Sequence, residues 1–122
     1  IDAKGVANYR QAFKNVIVKA LQSAGMSADE LGHVHAHGLA TSRCDREEAV
    51  AIHEVFGETQ VPVVAAKSYT GNLGAASGMI EAASSLLAIN ENQLFGTLNY
   101  ETPDPDCPVA ISSQPADPAS SS

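Results

Sequence analysis

The clearest hydrophobic repeat in the chain lies between residues 9 and 24. There, apolar and small side chains recur at spacings of three and four residues, which places them along one face of a helix. The members of this face are Tyr9, Ala12, Phe13, Val16, Ile17, Ala20, Leu21 and Ala24. Gly25 follows directly, and glycine is the residue that most often ends a helix in a left-handed turn. The pattern predicts an amphipathic helix that stops at Gly25.

Two further segments carry signals for the start of a helix. The stretch SADE, residues 27–30, places a serine three positions before a glutamate, which is the spacing of a capping box that opens a short turn. The stretch DREEAVAIHEVFG, residues 45–57, repeats that spacing with Asp45 and Glu48 and closes on a glycine. We expect a second helix over residues 45–57, opened by this second capping box.

Four segments have the composition of short strands. LGHVHAHG, residues 31–38, ends at a glycine, and VPVVAAK, residues 61–67, is a β-branched run typical of a buried strand. TLNY, residues 97–100, and CPVAIS, residues 107–112, are separated by the turn-rich ETPDPD. With the helices, the order is helix, strand, helix, strand, helix, strand, strand, which predicts an α/β fold with a mixed sheet.

The segment NLGAASGMIEAASSLLAIN, residues 72–90, has a helical composition but lacks a polar face. Glu81 is its one charged residue, and the remaining side chains are mostly apolar or small. A helix that is apolar all round belongs inside a protein, and a chain this short has few elements to enclose it. The segment therefore indicates a layered α/β/α arrangement or a missing partner, and we expect the chain alone to expose an apolar face.

Composition and charge narrow the class of protein. A length of 122 residues fits one domain or part of one. The formal net charge of −7 argues against a surface that binds nucleic acid. The chain contains no run of about 18 apolar residues, so we expect no membrane-spanning helix. The start of the chain lacks the apolar core of a signal peptide. Two cysteines do not make a secreted disulfide framework, so we expect a cytoplasmic protein without membrane partners.

The two ends of the chain look unlike the middle. The sequence starts without Met and closes on the Pro/Ser-rich stretch QPADPASSS. We expect a domain over residues 1–112, a disordered tail over residues 113–122, and a chain that is a fragment of a longer protein.

His33, His35 and His37 stand at alternate positions, and a strand would place all three on one face. Three such positions span roughly 13 Å, so the three imidazoles cannot bind one metal ion together. Two of them could bind zinc, but no third ligand follows at a suitable spacing. No metal is expected, and His33 and His35 are interpreted as partly exposed strand residues.

Cys44 and Lys67 are further candidates for chemistry. Cys44 lies close in sequence to His37, so it could be a nucleophile paired with that histidine, or a small residue in a loop before a helix. Lys67 ends a strand, where the ligands of open α/β sheets gather. The glycines that follow it could form an anion site or could permit close helix packing, but a phosphate-binding P-loop is excluded because the lysine precedes them.

Three blocks of the chain, in this order, resemble the β-ketoacyl-acyl-carrier-protein synthases. VHAHGLATSRCDREEAVAIHEVFG resembles the block V-x-A-H-G-T-x-T…D…E…A…FG of that family. VPVVAAKSYTGNLGAASGMIEA resembles its block P-V…K-S…G-H-x-x-G-A-A-G…E, and TLNYETPDPDCPV resembles its block T-x-N…PDP-x-C. The spacing agrees over about residues 4–109, so the chain looks like the C-terminal part of such a condensing enzyme.

The resemblance implies a thiolase-like fold, of which this chain is the C-terminal half of a layered αβαβα arrangement. It implies an acyltransferase that joins an acyl group, held on a cysteine of the N-terminal half, to malonyl-acyl-carrier protein by decarboxylative Claisen condensation in fatty acid or polyketide synthesis. No cofactor is bound, because phosphopantetheine arrives on the acyl carrier protein. A homodimer, or a heterodimer with a synthase subunit, is implied as well.

The resemblance also assigns roles to single residues. His37 and Asn72 are the donors that stabilise the enolate, and Lys67 is the family's lysine. Thr41 matches a threonine that bonds the pantetheine arm. The supporting acidic positions are Asp45, Glu48 and Glu81.

Two departures from the family pattern leave the activity open. Asn72 stands where the family has a second histidine, and Leu39 stands where it has a first threonine. An asparagine can donate a hydrogen bond but cannot exchange protons, so a Cys-His-Asn condensing site and a non-catalytic, chain-length-factor-like subunit both remain. The chain alone, without the nucleophilic cysteine, is predicted to be inactive.

Glu48 has two interpretations. It could cap its own helix, or, as the resemblance implies, it could pair with Lys67 and tune a buried charge.

Overall fold

The computed structural model describes residues 8–57 and 59–116. The helices are α1 (Tyr9–Ala24), α2 (Ser42–Phe56), α3 (Lys67–Thr70) and α4 (Ser77–Asn90). The strands are β1 (Val34–His35), β2 (Pro62–Val64) and β3 (Ala110–Ile111). Short 3-10 turns cover Ala28–Glu30 and Gly74–Ala76.

Helix α1 has the bounds that its hydrophobic repeat predicts. The Asn8 side chain caps its start by accepting a hydrogen bond from the Gln11 N–H at 3.0 Å. Gly25 ends it with φ 65°, a left-handed conformation that costs glycine little. The capping box predicted for SADE is also present, because the Ser27 backbone N–H donates to the Glu30 carboxylate at 2.7 Å.

The three strands form one parallel sheet in the order β1-β2-β3. Val34 pairs with Val63, and Val63 pairs with Ile111. The predicted mixed sheet is not observed in the described ranges, because both strand pairs are parallel and the one antiparallel bridge, between Leu94 and Ala116, lies outside the three strands. The sheet is parallel because each strand returns to the same edge after a helical crossover.

The strand predicted at residues 97–100 is wrong. Asn99 has φ 60°, which turns the chain instead of extending it. Thr97 still lies beside the sheet: its N–H donates to the Ser112 carbonyl at 2.6 Å, and its hydroxyl accepts from the Ala65 N–H at 3.2 Å. The sequence TLNY has strand-like composition, but these contacts tie it to the sheet as a turn.

The sheet is covered on both faces, as the prediction of a layered α/β/α arrangement requires. On one face the buried residues are Ala36, Ile52, Phe56, Val61 and Val63, with α1 and α2 packed over them. On the other face Val64 packs with Ala88 of α4 and with Leu94. Each buried aliphatic side chain contributes about 1.5–3 kcal/mol of hydrophobic free energy, so the two small clusters fix the helices against the sheet.

Helix α4 leaves much of its apolar surface in solvent. Only Ser77 and Ala88 of this helix are buried. The most exposed large side chains are Met79 at 75%, Leu86 at 67%, Ile89 at 64% and Leu87 at 63%. The expectation of an exposed apolar face is confirmed, although the helix begins at Ser77 and not at residue 72.

The described structure continues past the predicted domain end at residue 112. Ala116 exchanges two backbone hydrogen bonds with Leu94, at 2.7 and 3.0 Å. Residues 117–122 of the predicted tail lie outside the described residues. Within the described ranges, no helix has the length and apolar character needed to cross a membrane.

Candidate active site

His37 lies just after β1 and is held by its backbone. The Glu48 carboxylate of α2 accepts hydrogen bonds from the N–H of His37 at 2.6 Å and of Gly38 at 3.0 Å. Gly38 has φ 52°, and a Cβ added there would lie 2.8 Å from the Ala65 Cβ. Any other residue at this turn would force the Ala65 side chain or the backbone to move. Gly38 therefore allows the close approach to Ala65 that holds the chain next to His37.

Lys67 does not end the strand as predicted: β2 stops at Val64, and Lys67 is the first residue of α3 and points at His37. Its Nζ lies 3.2 Å from His37 Nδ1 and forms an ion pair with Glu81 of α4. The Lys67 side chain is only 6% exposed. An ammonium group can only donate, so His37 Nδ1 accepts, and the neutral imidazole carries its proton on Nε2. The arrangement leaves His37 as an Nε2–H donor.

Glu48 follows neither of its predicted roles. Helix α2 begins at Ser42 with Thr41 as its N-cap residue, so Glu48 lies inside the helix and does not cap it. Lys67 pairs with Glu81 instead. Burial raises the pKa of the Glu48 carboxyl, and the two backbone hydrogen bonds from Gly38 and His37 oppose that rise. Glu48 therefore anchors the backbone around His37.

Replacing Glu48 should loosen this turn. Glu48→Ala leaves the N–H groups of His37 and Gly38 without their acceptor, and we expect the free energy of unfolding to fall by about 1–3 kcal/mol. Glu48→Gln keeps one acceptor oxygen and should fall between wild type and Glu48→Ala. Urea denaturation measures both. The control is Glu47→Ala, since no ion pair or side-chain hydrogen bond joins Glu47 to other described residues. Equal effects at both positions would contradict the anchoring role.

Asp45 lies in the wall of a cavity of about 550 Å³ that Glu48 and Lys67 also line. Its Oδ1 is buried and has no hydrogen-bond partner among the described residues. The predicted capping role of Asp45 is wrong, because the helix starts three residues earlier. Its carboxylate instead adds negative charge to a cavity that contains the Lys67 ammonium.

Asn72 and Thr41 are exposed, and the hydrogen bonds described for them do not reach His37. The Asn72 side-chain oxygen accepts from the Gly74 N–H at 3.1 Å and from the Ser77 hydroxyl at 3.2 Å, so it organises its own loop. Thr41 stands at the start of α2, and its carbonyl accepts from the Asp45 N–H at 2.9 Å. The structure thus brings together His37, Lys67 and Glu81, and the roles of Asn72 and Thr41 stay predictions.

His33 and His35 have partners that the sequence did not suggest. Both rings lie within hydrogen-bond distance of the Ser85 hydroxyl of α4, at 3.1 and 2.9 Å. His37 also has a neighbour that the sequence did not suggest: the ring centre of Phe13, from α1, lies 6.4 Å from that of His37. The one feature of the sequence that could have placed Ser85 near the site was its position one helical turn after Glu81, on the same side of the helix.

Cys44 finds little support as a nucleophile. Burial, and then the charges of Glu48 and Asp45, raise the pKa of the Cys44 thiol, which disfavours the thiolate that a nucleophile needs. Among the described residues, no group of three His, Cys, Asp or Glu side chains is placed to hold a metal ion.

The fold and site together define an α/β domain with a strand-end histidine held by a buried lysine–glutamate pair. The family "Beta-ketoacyl synthase, C-terminal domain" matches residues 2–101, and the chain belongs to that family. The chain is 34% identical over 99 residues to 3-oxoacyl-[acyl-carrier-protein] synthase 2 of Coxiella burnetii, covering 80% of this chain and 24% of that protein. It is 39% identical over 93 residues to the tetracenomycin polyketide synthase ketoacyl synthase alpha subunit of Streptomyces glaucescens, covering 75% and 22%.

Solved structures agree with the family assignment. The ishigamide ketosynthase/chain length factor superposes with a TM-score of 0.85 at 31% identity, over 88% of this chain and 27% of that one. A type II polyketide acyl carrier protein in complex with its ketosynthase, bound to the hexaketide, gives 0.84 at 33% identity, over 92% and 28%. The predicted thiolase-like fold is confirmed. The chain spans about a quarter of the length of these relatives.

Proposed function

We propose that this chain is the C-terminal part of a β-ketoacyl-acyl-carrier-protein synthase. In the complete protein it would help to condense an acyl thioester with malonyl-acyl-carrier protein, losing carbon dioxide. The observation that carries this proposal is the contact between Lys67 Nζ and His37 Nδ1, which leaves the Nε2–H of His37 as a donor. Membership of the synthase family supports the reaction class.

The proposed step needs such a donor. When the malonyl thioester loses carbon dioxide, the electron pair of the broken C–C bond moves into the thioester, and negative charge develops on its carbonyl oxygen. A donor already oriented toward that oxygen lowers the barrier without reorganising. The enolate carbon then attacks the carbonyl carbon of the acyl thioester on the family's cysteine, which lies outside this chain. The new C–C bond forms as the acyl C–S bond breaks, and the cysteine leaves as its thiolate. Asn72 is the proposed second donor through its side-chain N–H₂ group.

The chain by itself is proposed to be inactive. The cysteine nucleophile belongs to the family's N-terminal half, and the raised pKa of Cys44 disfavours a substitute. Phosphopantetheine is proposed to arrive on the acyl carrier protein and not as a bound cofactor. The proposed partners are that carrier protein and a second synthase subunit, identical or different, in the cytoplasm.

A second candidate function rests on Asn72. Its side-chain oxygen is used within an exposed loop, and a non-catalytic partner subunit needs no second enolate donor. One of the similar structures is described as a ketosynthase/chain length factor, which is the kind of pair that such a subunit would enter. In this case the complete protein would have no cysteine at the nucleophile position.

The test is release of carbon dioxide from malonyl-carrier protein by the complete protein. A condensing enzyme should release it and should then form a β-ketoacyl product when supplied with an acyl thioester. A complete protein that has no cysteine at the nucleophile position and forms no product would favour the partner subunit. The present chain, assayed alone, is expected to form no product.

A further inference from the structure

Three side chains beside the site form a hydrogen-bonded chain, which we name the His35–Ser85–His33 relay. The Ala66 N–H donates to His35 Nε2 at 3.1 Å. His35 Nδ1 lies 2.9 Å from the Ser85 hydroxyl, which lies 3.1 Å from His33 Nε2. The relay therefore runs from the backbone of Ala66 to His35 in β1, then to Ser85 in α4, and from there to His33.

The relay fixes where its protons lie. Because His35 Nε2 accepts from a backbone N–H, the neutral ring carries its proton on Nδ1 and donates to Ser85. The Ser85 hydroxyl can then donate to His33 Nε2. Both nitrogens of His35, the Ser85 hydroxyl and His33 Nε2 each have a partner when both imidazoles are neutral. A protonated His35 has no lone pair at Nε2, so the Ala66 N–H would lose its acceptor.

The position of Ala66 links the relay to the site. Ala66 is 5% exposed, stands immediately before Lys67 and is the residue from which α3 starts. In the middle of the relay, Ser85 lies one helical turn after Glu81, which is the ion-pair partner of Lys67. The relay and the Lys67–Glu81 pair are thus neighbouring links between the strand ends and α4.

We propose that His35 is a positioning residue whose neutral form holds the backbone at Ala66 and so keeps Lys67 Nζ on His37 Nδ1. Protonation of His35 breaks the hydrogen bond to Ala66, loosens the start of α3 and weakens the Lys67–His37 contact. The kinetic consequence of this step rests on the proposed function, whereas its structural consequence does not.

The surroundings of His35 set the pH range in which this happens. Burial lowers the pKa of His35, the Glu81 carboxylate of α4 opposes that effect, and the charges of His33 and Lys67 add to it. The Phe95 ring, 5.6 Å away between ring centres, closes another side with an uncharged surface. The relay therefore stays intact at neutral pH and opens on the acid side of histidine's ordinary pKa of about 6.5.

The experiment compares His35→Leu and His35→Gln in the complete protein between about pH 5 and pH 8. Leucine removes the acceptor at every pH, whereas the glutamine side-chain oxygen can accept from Ala66 without titrating. One measurement is kcat and KM for decarboxylation of malonyl-carrier protein. The other is hydrogen exchange at the Ala66 and Lys67 amides, corrected for the intrinsic effect of pH. His53→Gln, an exposed histidine of α2, is the matched control.

We expect His35→Leu to lower kcat about tenfold or more with a smaller change in KM, and to speed exchange at Ala66 at every pH. At neutral pH, His35→Gln should have the kcat and the Ala66 amide exchange rate of wild type. On acidification, exchange at Ala66 should speed up in wild type but not in His35→Gln. His53→Gln should behave as wild type in both measurements.

Two results would overturn the proposal. One is His35→Leu with wild-type kcat and wild-type exchange at Ala66. The other is His35→Gln with the same acid-side exchange as wild type, which decides the matter even if His35→Leu does not fold. If the complete protein releases no carbon dioxide at all, the proposed function fails, while the exchange data still support or overturn the role of His35.

Discussion

His37→Ala in the complete protein should reduce the release of carbon dioxide from malonyl-carrier protein by about 100- to 1,000-fold. The reason is that His37 Nδ1 is occupied by Lys67 Nζ at 3.2 Å, so its Nε2–H is the group left to stabilise the enolate oxygen. The loss should fall mainly on kcat, since the charge that needs this donor develops only in the transition state. Steady-state kinetics with malonyl-carrier protein measure the effect.

Two further variants sharpen this test. His37→Gln places a side-chain N–H₂ donor at a similar reach and should recover part of the lost rate. His53→Ala changes an exposed histidine of α2 and should leave the rate unchanged. Full decarboxylase activity in His37→Ala would remove the basis of the proposed function, and a loss as large in His53→Ala would indicate general destabilisation.

Glu81→Leu should lower the free energy of unfolding by about 3 kcal/mol, because it leaves the Lys67 ammonium buried without its counter-charge. The side chains of this pair are 6% exposed for Lys67 and 19% exposed for Glu81, so water compensates little of the loss. Urea denaturation of the chain, followed by circular dichroism, measures the change. The double variant Lys67→Met/Glu81→Leu removes both charges and should be closer to wild type than the single variant.

The chain offers a matched control for that prediction on its surface. Arg46 and Asp106 form an ion pair at 2.7 Å, with side chains 49% and 59% exposed. Asp106→Asn should therefore cost less than about 1 kcal/mol, since water and salt screen an exposed pair. If Glu81→Leu proves no more destabilising than Asp106→Asn, the Lys67–Glu81 pair is not the buried contact described above.

The sequence identified which residues belong to the site better than it identified their partners, because the partners are distant in the chain. The likeness to the synthase family selected His37, Lys67 and Glu81, and the structure brings these three together. The likeness gave Glu48 as the partner of Lys67, but Lys67 pairs with Glu81. The two glutamates come from different helices, and their distances to Lys67 depend on how those helices pack. The assumed capping box at Asp45 and Glu48 failed because α2 begins earlier, at Ser42.

The histidines in and beside β1 show the same division. Alternation along a strand predicts that His33, His35 and His37 share one face. His33 and His35 do meet the same hydroxyl of α4, but β1 itself covers only Val34–His35, and His37 lies beyond its end. Their different roles follow from what faces each of them: Ser85 of α4 meets the first two, and Lys67 meets the third. Because no local pattern encodes the meeting of a strand with a helix some fifty residues away, these roles could not be read from the sequence.

The sequence by itself determined helix α1 with its glycine end, the short capped turn after it, the alternation of helices and strands from α1 to β2, and the family. Each of these depends on residue spacing within a few turns or on a motif. Tertiary structure alone decided that Glu48 bonds the backbone of His37 and that Glu81 pairs with Lys67. It also decided that the chain turns at Asn99, next to the point where Thr97 is bonded to the sheet. These contacts join residues far apart in the chain, and only the packing of helices on the parallel sheet sets their distances.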